Sequence, residues 1–73
     1  MFVLIEQVDH EGGYFKGVFS TLEDAIQSSG MRAEEFSSEH PMYHWYQPHG
    51  CTALWTARRE GYDVTFNIWA VAV

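Results

Sequence analysis

The stretch from Tyr62 to Val73, YDVTFNIWAVAV, constrains this chain more than any other. Tyr62, Val64, Phe66, Ile68, Ala70 and Ala72 alternate with Asp63, Thr65, Asn67, Trp69, Val71 and Val73. A period of two sends successive side chains to opposite faces of a pleat, which predicts a strand. β-branched and aromatic residues, which suit a half-buried pleated surface, fill most of it.

Upstream, Thr52 to Arg59 (TALWTARR) is a second strand-like run, followed by Glu60 and Gly61. A two-residue loop containing glycine between two such runs predicts a hairpin. This loop sets Arg59 opposite Tyr62, Arg58 opposite Asp63, Ala57 opposite Val64, Thr56 opposite Thr65, Trp55 opposite Phe66 and Ala53 opposite Ile68. The pairs are compatible, and cross-strand pairs of this kind contribute about 0.2–1 kcal/mol each. Ala53, Trp55, Ala57, Val64, Phe66 and Ile68 then form a core face. The other face is polar near the turn and apolar at the far end, where Leu54, Trp69, Val71 and Val73 lie. A strand apolar on both sides is either covered twice or faces a partner.

The chain has 73 residues, enough for a single domain spanning 1–73 and near the size at which one core is marginal. It is 47% hydrophobic with three Trp, four Tyr and five Phe, which excludes a disordered class. No run reaches the ~20 apolar residues of a membrane span. The opening MFVLIEQVDHEGG lacks a basic start and meets Glu6 and Asp9 early, so it reads as a strand and not a signal peptide. The single cysteine, Cys51, leaves no internal disulfide and suits a reducing cytoplasm. A formal charge of −6 argues against direct binding to nucleic acid or an anionic membrane, because that affinity comes from Lys and Arg on phosphate. It favours a basic protein surface, including one that ordinarily holds nucleic acid. The plainer role of such acidity is solubility.

In chain order, Phe2 to Val8 predicts the first strand, Asp9 to Gly13 a turn, and Tyr14 to Phe19 the returning strand with a bulge at Gly17. Ser20, Thr21, Leu22 and Glu23 have the form of a capping box with Ser20 as the cap. The helix runs to about Ser29 and stops at Gly30, with Leu22, Ala25 and Ile26 on the sheet-facing side. Met31 to Ser38 holds a further helical turn anchored by Phe36, and Glu34, Glu35 and Glu39 make it the most acidic surface. Pro41 ends it.

The order strand, acid-and-glycine turn, strand ending GVFST and helix opening LEDA (Gly17 to Ala25) resembles a set of small uncharacterised proteins of bacteriophage and bacterial genomes. Their helix follows a similar GVFSS-EEA junction. The likeness covers about the first thirty residues of this chain. It implies a compact α+β accessory protein of viral type and carries over no activity and no catalytic residue.

Residues 40–51, HPMYHWYQPHGC, are the chemically richest segment. His40, His44, His49 and Cys51 are ligand types that zinc accepts in a tetrahedron. Their spacing is not that of paired ligands from two separated elements, and Pro41 and Pro48 interrupt the run. The expectation is therefore no metal and no cofactor. Tyr43 to Gln47 reads as a short strand that points His44 away from Trp45. A nucleophile built from Cys51 and His49 needs an orienting third group and a pocket, which a chain this small has little room to enclose. No enzyme activity is expected. Tyr43, Trp45 and Tyr46 are types that dominate binding hot spots, and equally they suit a third layer of core.

These readings predict an α+β fold: a mostly antiparallel sheet of about five strands in the order β-β-α-β-β-β, with one helix on one face. The expected core gathers Leu4, Val18, Trp55, Val64, Phe66 and Ile68. The leading functional expectation is a non-enzymatic protein-binding module, a phage-encoded modulator or inhibitor of a host protein. Glu34, Glu35, Glu39, Tyr43, Trp45 and Trp69 would carry the contact. The alternatives are a structural homodimer joined through the Tyr62–Val73 edge or the Trp69 and Val71 patch, and a small metalloprotein using His40, His44, His49 and Cys51.

Overall fold

The computed structural model describes residues 1–39, 50–61 and 63–72. Within them the chain forms strands β1 (Phe2–Val8) and β2 (Gly12–Phe19), helix α1 (Leu22–Ser29), a 3₁₀ turn (Ala33–Glu35), and strands β3 (Ser37–Glu39), β4 (Cys51–Arg59) and β5 (Val64–Val71). The five strands make one sheet in the order β2-β1-β5-β4-β3, and every neighbouring pair is antiparallel. One helix and one antiparallel sheet make this an α+β fold. Among the described residues no helix is long and apolar enough to cross a membrane.

β5 lies at the centre because it is the strand with apolar side chains on both faces. Leu4 stands opposite Ile68 on one side of it, and Trp55 stands opposite Ile68 on the other. Leu4, Ala25, Phe66 and Ile68 form the buried cluster between sheet and helix, with Phe2, Phe19, Leu22, Ile26, Met31, Phe36, Trp55 and Val64 packed around it. Burying a side chain of this size contributes roughly 1.5–3 kcal/mol. The expected core holds with one exception. Val18 is 45% exposed, because it points away from the helix on the outermost strand.

The helix is capped one residue later than the sequence suggests. Thr21, not Ser20, is the cap: its Oγ1 accepts from the Asp24 N–H at 3.1 Å. Both residues can cap, and Thr21 places Leu22, Ala25 and Ile26 on the sheet. Gly30 ends the helix at φ 78°, a left-handed conformation that costs glycine little. The further turn is present as the 3₁₀ segment, and Phe36 behind it joins the core.

The β4–β5 hairpin departs from the expected register by two residues. Arg59 faces Val64, Arg58 faces Thr65, Ala57 faces Phe66, Thr56 faces Asn67, and Trp55 faces Ile68. The connection therefore runs from Glu60 to Asp63 instead of closing on Glu60 and Gly61. A long-range bond accounts for the longer loop: the Asp9 N–H donates to the Asp63 carbonyl at 2.8 Å, holding Asp63 beside the end of β1. A shift of two preserves every side chain's face, so the predicted core face survives the wrong register.

The far face of the sheet is buried where β4 meets β5. Leu54 stands opposite Trp69, and they are 0% and 1% exposed. The third strand is Ser37–Glu39, upstream of the expected Tyr43–Gln47, which lies outside the described residues.

Candidate partner-binding surface

β2 is an edge strand, and among the described residues it pairs only with β1. Its pairing slips once. Leu4 faces Gly17 and Ile5 faces Phe15, which leaves Lys16 as the extra residue of a bulge. Beyond the bulge Phe15 lies on the face away from the helix, beside Ile5, while Val18 lies on the same face beside Val3. Phe15 is 68% exposed, Val18 45% and Tyr14 49%. Tyr14 stands opposite Glu6, whose carboxylate also meets Lys16 at 3.8 Å. Glu11 is exposed just before the strand, and Glu23 and Asp24 are exposed in the first turn of α1 just after it.

The opposite edge has different chemistry. β3 is three residues long, and Ser37, Ser38 and Glu39 are all exposed. Glu34 and Glu35 precede it, and both face Arg32 at 3.8 Å. The Glu35 carboxylate also accepts the Arg32 N–H at 2.8 Å. A short, polar edge resists pairing. Four strand spacings of about 4.8 Å set the two edges ~19 Å apart.

The chain's positive charge gathers at the hairpin end. Arg32, Arg58 and Arg59 line an open cleft of about 650 Å³ together with Glu35 and Glu60. Arg58 is bound to Asp9 at 2.9 Å and approaches Asp63 at 3.6 Å. The hydrogen bond from Arg58 holds the Asp9 carboxyl below its ordinary value of 3.8. The same bond raises the Arg58 guanidinium.

Among the described residues, those expected to carry a contact do not form one exposed surface. Glu34, Glu35 and Glu39 are exposed together at the β3 edge. Trp69 is corrected: at 1% exposure its ring is withdrawn into the fold and offers a partner no surface. Tyr43 and Trp45 lie outside the described residues, as do His40, His44 and His49. Cys51, the remaining ligand candidate, begins β4 half-buried opposite Val71. Among the described residues no three His, Cys, Asp or Glu side chains are placed to hold a metal. The homodimer route through the edge of β5 is corrected as well, because β1 and β4 occupy both edges of that strand.

Tyr14, Phe15 and Val18 are the surface residues that sequence reasoning missed. Pairing partners of a strand are set by residues far along the chain, so YFKGVF shows a strand without showing which edge it occupies. Lys16 beside Gly17 is the available signal, since lysine and a glycine-marked bulge both occur where a strand is an edge. Comparison with protein-family models, with curated proteins and with solved structures finds no match to this chain.

Proposed function

We propose that this chain is a non-enzymatic protein-binding module. The observation that carries the reading is the open β2 edge, where Phe15 and Val18 are 68% and 45% exposed on one face. Small monomers seldom leave neighbouring large apolar side chains in water unless a partner covers them. Aromatic side chains are also the types that dominate interface energy. The charge of −6 supports a basic partner surface, and Glu34, Glu35 and Glu39 at the far edge add to the long-range attraction. In its finer form the module is a phage-encoded modulator of a host protein, as the likeness of the first thirty residues implies.

The test is affinity capture of the tagged chain from nuclease-treated bacterial lysate, with mass spectrometry of what stays bound. One stoichiometric protein, released by salt, supports the module, and its loss with Phe15→Ser assigns the contact to β2. A blank across several hosts defeats it.

A further inference from the structure

We infer that the partner of this chain binds as an extended segment, apolar in its middle and basic at both ends, added to β2 as a sixth strand. The inference rests on the protein-binding reading and specifies its ligand.

Three features of the β2 edge converge on such a ligand. An edge strand presents a row of N–H and C=O groups on its outer side, and an extended peptide can take up that row with its own backbone. Gly12–Phe19 is eight residues long, which spans roughly 23–27 Å of such pairing. Phe15 and Val18 project from one face of the edge, with Ile5 and Val3 half-buried behind them, so alternate apolar side chains of an added strand would lie against this step. The strand is also bracketed by acid. Glu11 is exposed at its start, and Glu23 and Asp24 are exposed beyond its end. An added strand with Lys or Arg at both ends meets opposite charge at both.

A second copy of the chain fits this edge less well. Two copies bring −6 against −6, and Lys16 stands at the bulge of β2. A lysine at a bulge is a common obstacle to edge-to-edge self-pairing. The same Lys16 is already answered by Glu6 at 3.8 Å, so it does not repel a basic-ended segment at its middle.

The experiment titrates the full chain with a synthetic peptide of about ten residues, alternating valine and threonine between terminal lysine pairs, against a control with glutamates for the lysines. Amide chemical shifts locate the site. The expected result is saturable binding with shifts along β2 and β1, weakened about tenfold or more by Phe15→Ser with Val18→Ser. Glu11→Lys should weaken it several-fold and flatten its salt dependence, and the glutamate control should bind far less. Both apolar positions are well exposed, so the double variant keeps its fold and its loss of binding is interpretable. Equal binding of the two peptides, equal binding by the double variant, or shifts centred elsewhere overturns the inference. A dimer by sedimentation that Phe15→Ser dissolves also overturns it and gives the edge to a second copy. If the lysate partner is captured equally by the double variant, the strand inference falls and the protein-binding reading stands. If nothing is captured and no peptide binds, both fall.

Discussion

The Arg58 guanidinium lies 2.9 Å from the Asp9 carboxylate, joining residues that are 49 positions apart in the chain. The same side chain donates to Thr65 Oγ1 at 3.2 Å and approaches Asp63 at 3.6 Å. One cation thus ties the end of β1 to both strands of the terminal hairpin. The bond depresses the Asp9 pKa, so the contribution is complete above the unfolded value and is lost as the pH falls through the lower folded one. Asp9→Asn should lower the denaturation midpoint at neutral pH, and the gap from the native chain should close as the pH falls through the lowered folded value. Urea titrations at several pH values check this. No gap at neutral pH would show that Asp9 acts through its backbone bond to Asp63 alone, since the substitution leaves that bond in place.

The same contact marks what the sequence could show. The alternation of Val64 to Ala70 reports the strand and its two faces directly, and those faces were read correctly. The register was not, because Asp9 helps set it from the far end of the chain, through Arg58 and the Asp63 carbonyl. Local pairing preferences for Arg58 with Asp63 pointed to the right partners, and the ion pair does form at 3.6 Å, but across the loop instead of directly opposite. Of the two readings that the sequence leaves open for the Trp69 face, the burial of the ring favours the one in which the fold covers it. An apolar second face is equally consistent with burial and with an interface, and only the assembled chain distinguishes them. Thr21 and Ser20 are adjacent capping residues, and choosing between them requires knowing which helical phase meets the sheet.

Trp69 and Leu54 stand opposite each other on the face away from the helix, and both are essentially buried. Truncating a buried side chain of this size removes its transfer energy and leaves a cavity. Trp69→Ala should cost about 3–5 kcal/mol and Leu54→Ala about 2–5 kcal/mol, measured by urea unfolding. Had Trp69 served an interface, its replacement would leave the monomer's stability unchanged. Phe15→Ser, at an exposed position, should fall within about 0.5 kcal/mol of the native chain.

The cap assignment predicts a contrast between neighbours. Thr21→Ala removes the acceptor for the Asp24 N–H and should cost about 1 kcal/mol. Ser20→Ala touches no capping bond and should stay within about 0.5 kcal/mol. The reverse order, measured in the same unfolding series, would return the cap to Ser20.

The carboxylates of the β3 edge and the apolar contact of β2 sit at opposite edges of the sheet, so they should act on different steps of binding. Glu34 and Glu39 are exposed near the β3 edge, well removed from β2, and can only attract a basic partner at long range. Such charges change the association rate and its salt dependence and leave the bound contacts alone. Glu34→Lys with Glu39→Lys should therefore slow association several-fold at low salt, with dissociation unchanged. Phe15 lies in the proposed contact itself, so Phe15→Ser should speed dissociation about tenfold with little effect on association. Glu35 is left out of the charge reversal, because its carboxylate takes the Arg32 N–H at 2.8 Å and its loss would disturb the 3₁₀ turn. Surface plasmon resonance of the captured partner at two salt concentrations separates the two rates. A change in dissociation from the Glu34 and Glu39 pair would place direct contact at β3 and move the binding surface to that edge.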